Sequence, residues 1–386
     1  MHGRLKVRTT AEQQEIKAKE RAKKLAVYKV AMDRIFSKRK SGELDDEILK
    51  ITGQVLTENP DISTLWNIRK ETIVKIKNTT PDLVDNYVSK ELTLTEQCIR
   101  VNPKSYNSWF HRSWVLDKGS NTDFQAEFLL CDKCLELDER NFHCWDYRRI
   151  IVQMSKTPLE NELQFSTNKI TKNFSNYSSW HYRSELLPRI YPSSSGDTLL
   201  DDQKLAEECN LIQNAIFTDP NDQSAWFYQR WLLFTKKESD SKENSKPRIY
   251  PSSSGDTLLD DQKLAEECNL IQNAIFTDPN DQSAWFYQRW LLFTKKETNS
   301  TENSGFLSVL NDELESCQQL RDLEPNNKWV ILQVCELLRR IDSLGNKKEI
   351  LQLVSQLTKV DPLRRGYYAY LGSKIEEEKQ KKTIPE

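Results

Sequence analysis

The sequence is poor in glycine and contains no long apolar run. Only 10 of its 386 residues are glycine, well under the average share of about 7 %, so little material is available for strand turns. No apolar stretch approaches the roughly 20 residues that a membrane-spanning helix needs. The N-terminal segment MHGRLKVRTTAEQQEIKAKERAKK is too charged for a signal peptide. These absences predict an all-α protein that resides in the cytoplasm.

A strong excess of charge of either sign is also missing. The 56 basic and 58 acidic residues leave a net charge of −2, which argues against a bulk nucleic-acid binder. The lysines near the N-terminus are interleaved with Glu12, Glu15 and Glu20, a pattern typical of a solvated helix face. Thr9 and Glu12 fit a capping box that would start this helix.

The cysteines show no metal-binding spacing. Of the eight, Cys131 and Cys134 form a CxxC inside the helical stretch FLLCDKCLEL, with no second CxxC and no histidine pair nearby. Structural zinc normally needs four ligands. We therefore interpret these residues as ordinary buried thiols.

What the chain does contain is a repeat. A tryptophan followed by arginine three residues later recurs at Trp66/Arg69, Trp109/Arg112, Trp145/Arg148 and Trp180/Arg183. Two later units carry a proline six residues before the tryptophan and an arginine displaced by one position, at Trp226/Arg230 and Trp285/Arg289. Self-similarity at roughly 35 to 45 residues is typical of a helical solenoid, whose units bury their apolar faces by stacking.

Each unit reads as helix, turn, helix. In EILKITGQVL, residues 47–56, the apolar residues recur at helical spacing, and the proline of the following TENPDIST ends the helix. The second helix is expected to start near a serine able to cap it, at Ser63, Ser105, Ser178 or Ser224. The repeated tryptophans and arginines then share one helix face, where we expect packing between layers and pairing of the guanidinium.

One block of the sequence occurs twice. Residues 188–238 recur unchanged as residues 247–297, and the flanking octets SDSKENSK and TNSTENSG are related, so the duplicated block is 59 residues long. Removing 59 residues from the 103 between Trp226 and Trp329 leaves 44, close to the 43 between Trp66 and Trp109. We expect one copy to pack in the ordinary place and the other to be less well integrated, and the polar octets to be loops.

These repeats resemble those of protein prenyltransferase α subunits. The similarity lies in runs such as NPKSYNSWFHRSW, DERNFHCWDYRR and NDQSAWFYQRWLL, and it extends from residue 1 to about residue 373. Within the family, MHGRLKV and NPDISTLWNIRKE resemble the members that geranylgeranylate Rab GTPases. The resemblance implies an arm and charged helix over residues 1–40, a right-handed α-α superhelix of helical hairpins over 41–373 containing the blocks 188–246 and 247–305, and a frayed tail over 374–386.

The resemblance also implies a partner. Such α subunits wrap around a β subunit that carries the catalytic zinc, the cysteine-activating chemistry and most of the isoprenoid pocket. This chain would bind no cofactor by itself and would act only in the heterodimer, on geranylgeranyl diphosphate and on Rab proteins presented by an escort protein. His2 matches the family's extreme N-terminus, which can approach the β-subunit zinc, although a disordered terminal histidine is the safer interpretation.

Three residues match family positions that approach the diphosphate. They are Lys104 and Tyr106 in NPKSY and His143 in RNFHCW. Prenyl transfer develops negative charge on the departing diphosphate, so a cation and hydrogen-bond donors there favour the transition state. Without the resemblance, Lys104 reads as a solvated turn lysine and Tyr106 as a packing aromatic. His111 and His181, close behind their tryptophans, are interpreted as packing or surface residues.

Two alternatives remain open from the sequence. The chain could be the α subunit shared by farnesyltransferase and type I geranylgeranyltransferase, against which MHGRLKV argues. It could also be a non-enzymatic peptide-binding scaffold of the tetratricopeptide kind, although those units are close to 34 residues and the spacing here varies from 35 to 46. The immunoglobulin-like insert and leucine-rich domain of vertebrate relatives are not expected, because no alternating strand pattern interrupts the helices.

Overall fold

The computed structural model describes residues 10–120, 122–194, 200–233, 261–294 and 303–377. Within these residues the regular structure is helical, and the only β pairing is an isolated antiparallel bridge between Pro192 and Leu200. The all-α prediction is therefore confirmed. No helix in these ranges has both the length and the apolar character needed to cross a bilayer.

Contacts divide the chain into two units, Met1–Pro158 and Leu159–Glu386. The first unit contains α1 (Ala11–Lys40), α2 (Asp46–Glu58), α3 (Ser63–Thr79), α4 (Val84–Val101), α5 (Tyr106–Leu116), α6 (Phe124–Leu137) and α7 (Phe142–Ser155). After α1, consecutive helices pair into the hairpins α2/α3, α4/α5 and α6/α7. The second helices of these hairpins pack in a row, α3 on α5 and α5 on α7.

The second unit repeats the same arrangement. Its helices are α8 (Leu159–Lys172), α9 (Tyr177–Ile190), α10 (Asp202–Thr218), α11 (Gln223–Leu233), α12 (Asp261–Thr277), α13 (Gln282–Thr294), α14 (Asn303–Leu323), α15 (Lys328–Asp342), α16 (Lys347–Val360) and α17 (Arg365–Glu377). They pair in order from α8/α9 to α16/α17, and α9, α11, α13 and α15 form a row. Residues 374–377 of the predicted tail thus belong to α17, and residues 378–386 lie outside the described part.

The helix starts follow the predicted chemistry with shifted residues. Ser105 caps α5 as expected, but Asn176 rather than Ser178 caps α9. The first helix is capped by Thr10, which forms a capping box with Gln13, one residue after the predicted pair. Asparagine and threonine, like serine, can accept a backbone N–H at a helix start, so residue type alone did not decide the position.

Each repeated tryptophan anchors its own turn. The indole Nε1 donates to the backbone carbonyl six residues earlier, and this bond explains the spacing of the repeat. The N···O distances are 2.7 Å for Trp66 to Pro60, 2.8 Å for Trp109 to Pro103, 2.9 Å for Trp145 to Glu139, 2.6 Å for Trp180 to Phe174, 2.7 Å for Trp226 to Pro220 and 3.0 Å for Trp285 to Pro279. Because the acceptor is a backbone oxygen, the position tolerates residues other than proline.

Arg69, Arg112 and Arg183 each tie one hairpin to the next. Arg112 forms two 2.7 Å bonds to Glu127 at the start of the following hairpin, and Arg183 bonds Glu208 at 2.7 and 2.6 Å. Arg69 pairs with Glu91 in the same way. Arginine and carboxylate are buried in all three pairs, so the predicted pairing of the guanidinium is confirmed there.

Arg148 has a carboxylate partner within its own hairpin. It is as buried as the other repeated arginines, at 4 % exposure, but its Nη1 donates to a carboxylate of its own hairpin, Asp132 of α6, at 2.8 Å. The corresponding nitrogen of Arg112 donates to a hydroxyl, that of Thr95, at 2.9 Å. The Arg148 guanidinium also lies over the Phe128 ring, 5.0 Å from its centroid. The expected pairing of the guanidinium is therefore present at Arg148 as well.

Five of the buried glutamates also have a partner within their own hairpin. The residue 20 positions later on the second helix contacts the same carboxylate, at 2.8 Å for His111 and Glu91, 2.6 Å for Tyr147 and Glu127, 2.8 Å for Tyr182 and Glu162, 2.7 Å for Tyr228 and Glu208, and 3.0 Å for Tyr287 and Glu267. Sequence reasoning missed these glutamates. The recurring distance of 20 residues to a tyrosine was the signal that could have found them.

Arg230 does not take the place of the repeated arginine. The residue three positions after Trp226 is Gln229, which is fully buried and donates to Glu267 at 2.8 Å. Arg230 instead lies over the ring of Trp290, 4.5 Å from its centroid. A neutral amide therefore replaces the guanidinium at this junction, and the displaced arginine packs on an aromatic face.

The described helices of both copies pack as successive layers, whereas we expected one copy to be less well integrated. Ser224 of the first copy donates to the Ser175 carbonyl at 3.1 Å, and its counterpart Ser283 donates to the Asn221 carbonyl at 2.9 Å. The hairpin α12/α13 thus stacks on α10/α11 as that hairpin stacks on α8/α9. The linking residues 234–260 lie outside the described part, and α14 already begins at Asn303, within the second octet.

Candidate functional site

Two turns of the first unit carry the predicted site residues. Lys104 lies in the turn before α5, where its backbone N–H donates to the Asn102 side chain at 3.1 Å. Tyr106 is the first residue of α5. His143 is the second residue of α7, the next second helix in the row, so neighbouring turns bring the three residues to the same end of the layer.

The structure brings these side chains together. The rings of Tyr106 and His143 meet edge to face, with centroids 4.2 Å apart and an interplanar angle of 88°. The Lys104 Nζ lies 3.5 Å from a carboxylate oxygen of Asp138, in the turn that leads to His143. The Phe142 ring also packs against the imidazole, with ring centroids 4.0 Å apart. The three predicted residues therefore form one cluster, hereafter the Lys104 cluster.

Asn141 joins the two turns and was not singled out from the sequence. Its side-chain oxygen accepts the backbone N–H of His143 at 3.1 Å, and its amide donates to the Pro103 carbonyl at 3.0 Å. It therefore caps α7 and fixes the turn of Lys104 with the same side chain. Asparagine at a helix N-cap is so common that its position alone did not mark it as part of a site.

The members of the cluster differ in exposure. The Lys104 side chain is 70 % exposed and Tyr106 is 68 % exposed, whereas His143 is only 7 % exposed. A ligand on this surface would meet the ammonium and the phenol directly and the imidazole at its edge. Lysine and tyrosine are therefore the residues free to adjust to it.

The imidazole of His143 is held neutral. Burial lowers its pKa below the ordinary 6.5, and the positive charge of Lys104 lowers it further, while Asp146 opposes the shift. At neutral pH the ring therefore carries one N–H and can donate one hydrogen bond. The starts of α5 and α7 add backbone N–H groups with positive potential, so the surface suits an anion, although Asp138 balances part of the charge.

The other two histidines that the structure describes, His111 and His181, pack near aromatic rings. His111 is fully buried, contacts Glu91 and packs 4.5 Å from the ring of Trp66, as the packing interpretation predicted. His181 packs near Tyr177, with ring centroids 6.1 Å apart. His2 lies outside the described residues. Across the described ranges, no group of three or more His, Cys, Asp or Glu is placed to hold a metal ion.

Comparison with known proteins agrees with the repeat. The signature named protein prenyltransferase alpha subunit repeat matches residues 88–119, 124–155, 159–190, 205–236 and 264–295. The chain is 40 % identical, over 97 % of its length, to the geranylgeranyl transferase type-2 subunit alpha of Bos taurus, 76 % of which is covered. The subunit of the same name from Dictyostelium discoideum is 33 % identical over 97 % of this chain and 100 % of its own length.

A solved structure of Candida albicans protein geranylgeranyltransferase-I complexed with GGPP is also similar. Its matching chain is 19 % identical, with a TM-score of 0.45 and 89 % of each chain covered. A likeness of this strength supports no conclusion about the present chain.

Proposed function

We propose, from the premise that this chain belongs to the protein prenyltransferase alpha-subunit family, that it is the α half of a heterodimeric geranylgeranyltransferase. The relatives that cover most of its length are named as type-2 subunits, which favours that class. The substrates would be geranylgeranyl diphosphate and the C-terminal cysteines of Rab GTPases, presented by an escort protein in the cytoplasm.

The Lys104 cluster supports a role at the diphosphate. When the prenyl carbon moves to sulfur, negative charge grows on the departing diphosphate, and donors fixed at that place lower the barrier. The Lys104 ammonium would act as a compact charge on phosphate oxygens, with the Tyr106 hydroxyl and the His143 N–H as further donors. The convergence of these three side chains on one surface is the observation that carries the proposal.

The surface around the cluster supports docking of a β subunit. Tyr106, Phe110 and Phe142 are 68 %, 64 % and 51 % exposed, and Tyr106 and Phe110 stand one turn apart on α5. Large exposed aromatics on adjacent helices are typical of a protein-protein interface. The partner would supply the zinc and activate the acceptor thiol, so the α chain would position the donor from one side, and His2 would approach that zinc only in the heterodimer.

Replacing Lys104 with alanine in the heterodimer tests the role at the diphosphate. We expect the single-turnover rate of prenyl transfer to fall by about 100-fold to 1,000-fold, the range for loss of one donor to developing charge, with donor binding weakened much less. Lys77→Ala, which removes an exposed lysine of α3, is the matched control and should leave the rate unchanged. An unaltered rate in Lys104→Ala would remove Lys104 from the site.

A further inference from the structure

Six hairpins, from α2/α3 to α12/α13, have an asparagine or an aspartate in the turn after their first helix. The side-chain oxygen of this residue accepts the backbone N–H two positions later, a bond that either residue type can make. The N···O distances are 3.2 Å at Asn59, 3.1 Å at Asn102, 3.2 Å at Asp138, 3.0 Å at Asn173, 3.1 Å at Asp219 and 3.1 Å at Asp278. The turn therefore needs the side-chain oxygen and does not need a negative charge.

Asp138 places such a charge beside the Lys104 cluster. Its Oδ1 makes the turn bond with the backbone N–H of Arg140, and its Oδ2 lies 3.5 Å from the Lys104 Nζ. The turn bond fixes the carboxylate, which is 40 % exposed, whereas the longer lysine side chain is 70 % exposed. The equivalent residues at the other two turns of the same unit are the neutral Asn59 and Asn102. The charge at position 138 is thus not explained by the fold of its turn.

We propose that Asp138 competes with the diphosphate for Lys104 and so favours release of the diphosphate product. This inference rests on the proposed function, in which the Lys104 ammonium binds phosphate oxygens. A diphosphate that binds there must take the ammonium from the carboxylate, and the two anions repel each other at short range. After prenyl transfer, the carboxylate offers the ammonium a partner in place of the departing diphosphate. Asp138 acts through Lys104 and is therefore a positioning residue.

The substitution Asp138→Asn separates the charge from the turn. Asparagine keeps the turn bond, as Asn102 does in the preceding hairpin, and removes only the competing anion. Because both side chains of the ion pair are partly exposed, we expect inorganic diphosphate to bind about two-fold to five-fold more tightly in the variant, the range for an exposed pair. Salt screens such a pair, so the difference should shrink at high ionic strength.

The test measures the inhibition constant of inorganic diphosphate against prenyl transfer by the heterodimer. Asp138→Asn should lower this constant, whereas a merely structural role would slow transfer and leave the constant in place. Asp219→Asn removes the same charge from the same kind of turn, before α11; it is the matched control and should leave the constant unchanged. An unchanged constant in Asp138→Asn, or an equal decrease in Asp219→Asn, would overturn the inference.

A double substitution shows whether the carboxylate acts through Lys104. In a heterodimer that carries Lys104→Ala, Asp138→Asn should change the inhibition constant much less than it does in the presence of the lysine. An equal change in both backgrounds would mean that the carboxylate only repels the anion, which contradicts competition for Lys104. A wild-type heterodimer without any transfer would reject the proposed function and this inference with it, whereas normal transfer that does not respond to Asp138→Asn would reject the inference alone.

Discussion

Within each unit, buried carboxylates join several hairpins to the hairpin before them. Glu127, for example, accepts from Arg112 of the preceding hairpin and from Tyr147 of its own. A buried charge is tolerable only when it is paired and hydrogen-bonded. The arginine, the glutamate and the tyrosine therefore depend on one another, and loss of any one leaves the others buried without compensation.

The duplicated block provides a matched pair of glutamates for testing this dependence. Glu208 and Glu267 stand in identical local sequence and each contacts a tyrosine, but Glu208 pairs with Arg183 and Glu267 with the neutral Gln229. Burial raises the pKa of Glu267, although Gln229 and Lys263 oppose the shift. The carboxylate of Glu267 is therefore the less well compensated of the two.

We predict that Glu208→Gln lowers the free energy of unfolding by about 3 kcal/mol or more, because Arg183 is left buried without its partner. Glu267→Gln should change it by less than about 1 kcal/mol, or raise it, since no buried cation loses a partner. Urea unfolding at pH 8 measures both. Equal destabilisation by the two substitutions would show that the arginine contributes nothing specific.

A second prediction concerns the charge on His143. Because Lys104 helps to lower the pKa of this imidazole and Asp146 opposes the shift, Lys104→Gln should raise the pKa and Asp146→Asn should lower it further. NMR titration of the ring protons measures the change, with His143→Asn to assign the signal among the four histidines. A pKa that does not respond to Lys104→Gln would mean that the two side chains do not share a site.

Among individual residues, the sequence identified those that recur at a fixed spacing and missed those that do not. Tryptophan and arginine were found because both return at a fixed spacing, and Lys104, Tyr106 and His143 were found through the family resemblance. The buried glutamates were hidden among 58 acidic residues, because their partners are 20 residues away or on another hairpin. Asn141 was missed since its second bond, to Pro103, crosses between hairpins.

Among the helices, the junction between the hairpins α10/α11 and α12/α13 exists because of the duplication. In the first copy, Glu208 keeps its contact with Arg183. In the second copy, Gln288 donates to Glu313 of α14. The duplication adds the contacts between the copies, among them Gln229 with Glu267, Ser283 with the Asn221 carbonyl and Arg230 with the Trp290 ring. Because Ser283 and Ser224 make equivalent contacts, the added hairpin fits the spacing of its neighbours, and a repeat protein accepts it as one more unit.

The carboxylate of Glu313 predicts a pH dependence of stability. Burial raises its pKa from 4.5 to about 7, against the hydrogen bonds from Gln272 and Gln288. Between these two values the folded chain keeps a proton that the unfolded chain has lost, so stability falls as pH rises. The contribution is complete below pH 4.5, is lost by about pH 7, and is on the order of 3 kcal/mol.

Glu313→Gln should remove this contribution to the pH dependence. Urea unfolding at pH 5 and at pH 8 gives the difference in free energy of unfolding, which we expect to shrink in the variant relative to the wild type. Glu315→Gln, two residues further along α14, is the control and should keep the wild-type difference. A variant with the same difference as the wild type would place the titrating group elsewhere.

The helices could be predicted more reliably than their ends or their grouping. Apolar periodicity identified the α2 stretch, and Ile48, Leu49 and Leu56 are buried there. The caps of α1 and α9 differed by one or two residues, because several neighbouring polar side chains can accept the same backbone N–H. The packing of both copies was not predicted, because an identical sequence says nothing about whether the neighbouring hairpins leave room for another layer.

For the molecule as a whole, the duplication implies that one layer is dispensable. Deleting residues 247–305 removes α12, α13 and the first three residues of α14, and it should bring Gln229 to the place that Gln288 holds opposite Glu313. We expect the shortened chain to fold and to form heterodimer in equal or better yield, measured by co-purification from co-expressing cells. A clear drop in yield would show that both copies are structurally required.

The central claim is that this chain is half of a transferase, and reconstitution tests it most directly. The full chain is expressed alone, with a type-2 geranylgeranyltransferase β subunit, and with a farnesyltransferase β subunit, and geranylgeranyl transfer to an escort-presented Rab protein is measured. The account predicts a stable complex and transfer with the type-2 partner only. Full transfer by the chain alone, or a productive complex only with the farnesyltransferase partner, would contradict it.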